Sequence, residues 1–215
     1  MAFGAVDFDG VDDSVLTAVS APFQIAVRTV SAWIFPRTAG ESNFGIIVST
    51  HESGANGGWL ISMCSNDGTE CPAISNTIEI FNYFTGTDGA WYATTGVTLN
   101  AWNHVAVSYD ASSTSNVPVI YINGQLMTIG GPTFGTPTGS SEHSSGDVLR
   151  IGTFNTAEDF NFDGLIDDVR IYNRALSAVE IEIIAKGRLK YDSLTTPGNG
   201  LVGYWPLDDS PDGTS

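Results

Sequence analysis

Short β-type stretches recur along this chain about every 10–15 residues, and the gaps between them are rich in glycine, proline, asparagine and aspartate. The run 25–36 sets Val27, Thr29, Ser31, Trp33 and Phe35 against Arg28, Val30, Ala32 and Ile34. Both faces of such a strand are apolar enough to be covered. Stretches 5–8, 14–17, 44–50, 57–64, 77–84, 90–94, 102–109, 117–122, 148–153 and 165–172 read as further strands. Asn123-Gly124 is a two-residue hairpin signal, with 125–129 as the returning strand. One helix is convincing. Ser177 should cap it, Glu180 should complete a capping box, and Gly187 should end it. About twelve short strands against one short C-terminal helix predict an all-β fold, a two-sheet antiparallel jelly-roll sandwich.

A chain of 215 residues suits a single all-β domain. Charged residues make up 15% of it, against roughly 25% in an average domain, so Ser, Thr, Asn and Gly must supply much of the polar surface. The net charge of −16 argues against nucleic acid and against an anionic membrane surface. No run reaches the ~18 apolar residues a membrane span needs. Residues 1–20 carry acids where a secretory leader needs a basic start and an apolar run. Either a leader was removed upstream or the chain reaches its location another way. Cys64 and Cys71 bracket the loop SNDGTE, and a disulfide there would place the protein in an oxidising compartment. Two inert thiols at a hairpin are the alternative.

The chemistry-bearing residues fall into three groups. Asp159-Phe-Asn161-Phe-Asp163-Gly164 matches the opening D-x-N-x-D-G of a calcium loop, with Asp167 at the ninth position. Arg170 occupies the twelfth, where a bidentate Glu belongs, so a looser calcium site is expected. It would draw on Asp9 or Asp12 of the turn FDGVDD as well as Asp159, Asn161, Asp163, Asp167 and Asp168. Asp and Asn also make good turns without any metal. The second group is aromatic. Tyr83, Trp91 and Tyr92 around one hairpin, with Trp59, are candidates for stacking against a sugar, whereas Trp33 and Trp102 are expected in the core. The third group is catalytic, and here the chain offers little. Glu79 has no acidic neighbour at i+2 or i+4, and Glu180 and Glu182 sit on the helix. His51, His104 and His143 are far apart in sequence. His104 is expected to be a strand residue satisfied by packing and a hydrogen bond.

The motifs AVDFDGVDDSV (5–15), WNHVAVSYD (102–110), VIYINGQ (119–125) and FDGLIDDVRIYNRALSAVEI (162–181) resemble the laminin-G-like, concanavalin A-like jelly-roll family, including its pentraxin branch. The resemblance implies two curved sheets, frequent calcium binding, and carbohydrate or protein recognition without catalysis. It covers residues 1–190 as one domain. Residues 191–215 read as a linker and a terminal strand, LVGYWPL. That strand motif commonly opens relatives of this kind, yet here it lies at the other end. It completes this domain, completes a neighbouring copy, or begins a further repeat. The leading expectation is an extracellular or cell-surface recognition module, calcium-stabilised, binding glycan or a protein surface. The rival is a self-assembling structural subunit of a filament, sheath or viral appendage, in which residues 200–215 exchange between copies to form a homo-polymer.

Overall fold

The structure, a computed structural model, describes residues 4–17, 23, 25–51, 57–65, 74–142, 148–154, 159–187 and 199–207. Two antiparallel sheets face each other. Sheet I contains β1 (Val6–Asp9), β3 (Val27–Pro36), β8 (Asn103–Asp110), β9 (Val119–Ile122), β10 (Gln125–Leu126), β13 (Asp163–Tyr172) and β14 (Leu201–Trp205). Its order is β1-β13-β3-β8-β9-β10, and β14 also pairs with β13. Sheet II contains β2 (Val15–Leu16), β4 (Phe44–Ser49), β5 (Trp59–Cys64), β6 (Thr77–Asn82), β7 (Gly89–Ala93), β11 (Ile129–Gly130) and β12 (Arg150–Ile151). Its order is β11-β7-β6-β5-β4-β12-β2. This is the expected jelly-roll sandwich.

Strand alternation builds the core. Val30, Ala32 and Ile34 of β3 point inward with Val105 and Val107 of β8, and they meet Ile61 and Ile80 from the other sheet. The Asn123-Gly124 turn has both residues at positive φ, 53° and 76°, which is the primed geometry that the strand twist requires. The helix α1 (Ala178–Ala185) lies on the outer face of sheet I. Glu180 N–H donates to Ser177 Oγ (3.3 Å) and Ser177 N–H donates to Glu180 Oε2 (2.8 Å), the predicted capping box. Ile181 and Ile184 pack on Ala106, Tyr121, Tyr172 and Leu176. No helix among the described residues is long and apolar enough to cross a membrane.

β13 organises sheet I. One of its edges pairs with β3 along most of its length. The other edge is shared. β1 takes residues 163–166 and β14 takes residues 169–172. The two acidic turns therefore meet side by side, with Phe8 opposite Gly164 and Asp9 opposite Asp163. Gly164 has φ +147°, and a Cβ there would come within 2.2 Å of the Phe35 carbonyl oxygen, so glycine is required. A bulge follows at Asp167–Arg170, with Asp168 at φ +54°. It changes the expected parity. The sequence alternation puts Leu165, Val169 and Ile171 on one face, but Ile166, Val169 and Ile171 are the residues in the core. The terminal strand seats Val202 and Trp205 against the same core. Trp205 also packs on Phe23, ring centroids 5.5 Å apart.

His104 lies across from Trp33 on the outer face of sheet I, the two rings edge-to-face at 5.3 Å. It is 1% exposed, and neither ring nitrogen has a hydrogen-bond partner. The expected packing contact is present and the expected ring hydrogen bond is not made; the backbone bonds instead, His104 N–H donating to Asn123 Oδ1 at 2.8 Å and the His104 carbonyl oxygen accepting from Asn123 N–H at 2.7 Å. Burial first, and then the charge of Arg170, push its pKa from 6.5 down to about 3. The unfolded chain therefore binds the proton more readily than the folded one. The stability held by neutral His104 is intact above about pH 6.5 and is lost progressively as pH falls toward about 3. Chemical denaturation between neutral and mildly acid pH should show this loss, and His104→Leu should flatten it. An unchanged acid slope in the variant would overturn the assignment.

Candidate functional site

The outer face of sheet II carries a file of touching rings. β6 turns Ile78 and Ile80 inward, which sends Phe81 outward, and Tyr83 follows two residues later on the same side. Phe81 contacts Phe134 on one side (5.3 Å between centroids) and Tyr83 on the other (4.7 Å). His51, just beyond β4, lies nearly parallel between Tyr83 (4.5 Å, 16°) and Phe154 (4.7 Å, 17°). Phe160 continues the file from Phe154 (5.7 Å), and Phe44 closes it (5.4 Å). All but His51 are at least partly exposed, and Phe134 is 47% exposed. The result is an aromatic ribbon running from Phe134 to Phe44.

Backbone bonds fix the ribbon's middle. His51 Nδ1 lies 3.0 Å from the Gly57 carbonyl oxygen, which can only accept. Nδ1 therefore carries the proton in the neutral ring, and Nε2 is left as an acceptor. Arg150 Nη1 donates to the His51 carbonyl oxygen at 3.2 Å. Below Tyr83 the support comes from inside the sandwich. Arg28 is 1% exposed, and its Nη2 donates to Asn82 Oδ1 at 2.5 Å. Asn82 Nδ2 in turn donates to the Tyr83 carbonyl oxygen (2.9 Å) and to Ser141 Oγ (3.0 Å). The guanidinium lies over Trp59 (4.9 Å) and Tyr109 (5.5 Å), which partly offsets its lost hydration. Burial still pulls its pKa down to about 9. A buried cation thus ties the two sheets together directly beneath the ribbon.

Of the four aromatics expected to meet a sugar, the structure places two on this face. Tyr83 is in the ribbon, and Tyr92 lies outward on β7, its ring over Gly130. Trp59 and Trp91 are corrections. They are 0% and 2% exposed and form part of the core, so neither has a face to offer. Trp33 and Trp102, expected inside, are half-buried on or beside the outer face of sheet I. Alternation on strands with two apolar faces fixes which residues share a face, not which face is inward. Phe81 was legible two positions before Tyr83, whereas Phe44, His51, Phe134, Phe154 and Phe160 have no such signal.

The acidic residues do not gather as a calcium loop. Asp163 opens β13, so Asp163, Asp167 and Asp168 are spread along an extended strand. Asp163 accepts from Thr38 Oγ1 (2.7 Å) and faces Arg37 (3.5 Å), while Asp168 pairs with Arg170 (2.8 Å). Asn161 turns its amide N–H groups to the Val11 carbonyl oxygen (2.6 Å) and to Glu41. Asp9 accepts from Val11 N–H, and Asp13 accepts from Asp9 N–H, closing the first turn. Asp12 and Asp159 are both exposed. No group of three or more His, Cys, Asp or Glu suited to a metal occurs among the described residues. The donors present fit turn closure rather than calcium. Cys64 ends β5 fully buried, and Cys71 lies outside the described residues, as does His143.

Two measurements check this account. Arg28→Met should lower the unfolding free energy by about 1–3 kcal/mol by leaving Asn82 Oδ1 buried without its donor. Adding Asn82→Leu should cost less than the two single changes summed, because the pair acts as a unit. Strict additivity would show that they do not interact. Chelation with EDTA should leave the melting temperature unchanged, and a fall would show that an ion stabilises the fold.

No curated protein matches this chain. Several solved structures share its fold at low identity. The CBM40 of the Ruminococcus gnavus IT-sialidase is similar over 85% of this chain and 96% of its own, at 13% identity and a TM-score of 0.62. Domain 4 of AbnA, an extracellular GH43 arabinanase from Geobacillus stearothermophilus solved with arabinotriose, is 19% identical over 84% of this chain and 71% of its own, with a TM-score of 0.51. The native heptameric SAP-like pentraxin from Limulus polyphemus is 16% identical over 85% and 76%, with a TM-score of 0.51. Residues 9–182 match a laminin-G family model, and the chain therefore belongs to the concanavalin A-like lectin/glucanases superfamily.

Proposed function

We propose that this protein is a non-catalytic glycan-recognition module of extracellular or cell-surface location, and that its ligand lies on the aromatic ribbon. The observation that carries this reading is the file from Phe134 through Phe81, Tyr83, His51, Phe154 and Phe160 to Phe44 on one outer sheet face. Sugar rings present C–H faces that stack on aromatic rings, and an apolar strip this long on a sheet face calls for a covering partner. Carbohydrate modules among the structures of similar fold support the same reading. So does the placement of the carboxylates. Glu79 is 2% exposed, Glu180 is held by Arg174 (2.6 Å), and Glu182 pairs with Lys186 on the helix. A Cys64–Cys71 disulfide belongs to this proposal, as the crosslink of an extracellular protein. The seating of β14 on β13 of its own chain favours this reading over strand donation to a neighbouring copy.

Tyr83→Ala should weaken glycan binding about tenfold or more, equivalent to about 1.4 kcal/mol, with an unchanged melting temperature. Leu16→Ala, at an exposed position on the far edge of the same sheet, should leave affinity intact. Affinity electrophoresis in polysaccharide gels reads both. Equal retardation of the folded Tyr83→Ala variant and the parent would remove the ribbon as the ligand face.

A further inference from the structure

Taking the ribbon as the ligand face, we infer that its ligand is an uncharged, extended polysaccharide chain rather than an anionic or single terminal sugar. The argument starts from where the cations are. The chain has 8 Lys and Arg residues. Arg28 is sealed in the core. Arg37 is bound to Asp7, Arg170 to Asp168, Arg174 to Glu180 and Lys186 to Glu182, all on strands of sheet I, at its rim or on the helix outside it. Arg188 and Lys190 follow that helix in sequence. Among the described cations only Arg150 is near the ribbon. It is 2% exposed, and its Nη1 is turned to the carbonyl oxygens of His51 and Val148. Among the described residues, an anionic sugar would therefore meet no available counter-charge on this face.

The margin of the ribbon is acidic instead. Glu142 sits beside Tyr83, its N–H donating to the Tyr83 carbonyl oxygen at 2.9 Å. Asp159, exposed, directly precedes Phe160, and its carbonyl oxygen accepts from Phe154 N–H at 3.0 Å. Carboxylates accept from sugar hydroxyls and repel uronates, sialates and sulfates, and the net charge of −16 adds to the repulsion. His51 Nε2 is a further acceptor in the middle of the file. The shape sets the second half of the inference. A terminal sugar needs one ring or a closed pocket, whereas seven rings in contact, centroid to centroid at 4.5–5.7 Å, offer successive platforms to a chain.

Affinity electrophoresis against soluble β-glucan, glucomannan, galactomannan and debranched arabinan, with polygalacturonate and polysialic acid as charged probes, tests this. At least one neutral polymer should retard the protein. Calorimetry with its oligosaccharides should show affinity rising about tenfold or more from disaccharide to hexasaccharide. Raising NaCl from about 50 to about 500 mM should leave that affinity unchanged. Retardation by a charged probe that fades with salt and is lost in Tyr83→Ala would overturn the neutral ligand while keeping the ribbon. Equal affinity for disaccharide and hexasaccharide would overturn the extended chain. Neutral binding that survives in folded Tyr83→Ala or Phe134→Ala would overturn the ribbon itself. Retardation by none of the probes would overturn both readings.

Discussion

The pairing of β1 and β14 along one edge of β13 is the constraint on which the rest of the sandwich depends. A strand in the interior of a sheet needs partners for its backbone groups on both sides. β13 finds one in β3, but no single strand serves its other edge. Two short strands from opposite ends of the chain serve it in turn, and the bulge at Asp168 marks the change from one to the other. The acidic turns follow from this arrangement. Asp9 and Asp163 fall opposite each other because β1 must end where β13 begins, and Arg37 and Thr38, just after β3, hold Asp7 and Asp163 beside them.

A second constraint links the two sheets. Most of the interface is apolar, yet Arg28 crosses it and bonds Asn82. Burying a guanidinium without a carboxylate is costly, and two aromatic faces with two hydrogen bonds are what make it tolerable here. The same Asn82 holds the backbone of Tyr83. The ribbon's central stack is thus set from below by a polar contact in the core, and from the side by the Gly57 carbonyl on His51. A face built this way is preorganised, so less ordering is left for the ligand to impose.

The fold was largely legible because its signals are local. Asn123-Gly124, the Ser177–Glu180 box and the recurrent strands each specify their own neighbourhood. What could not be read depended on distant partners. Trp59 and Trp33 both sit on strands that are apolar on two faces, so nothing in their sequence says which one turns to solvent. The bulge at Asp168 shifts the alternation of β13, and a bulge of this kind has no compositional mark. D-x-N-x-D-G is ambiguous because the chemistry that closes an acidic turn is also the chemistry that ligates calcium. The ribbon was half-visible through Tyr83; Phe81 and Phe44 join it from strands, and His51, Phe134, Phe154 and Phe160 from segments outside the strands, which are distant in sequence.

The shared edge of β13 also fixes where the ends of the described chain emerge. β1 and β14 lie end to end on sheet I, and the ribbon faces away from the core on sheet II. A new peptide bond joining these neighbouring ends, with a fresh opening in a surface turn such as Asn123-Gly124, would give a circular permutant with the same sandwich. In such a permutant LVGYWPL would precede FDGVDD, and the sheet would be unaware of the difference. The described strands form a nearly closed circuit, with the junction of β14 and β1 on the sheet opposite the aromatic face.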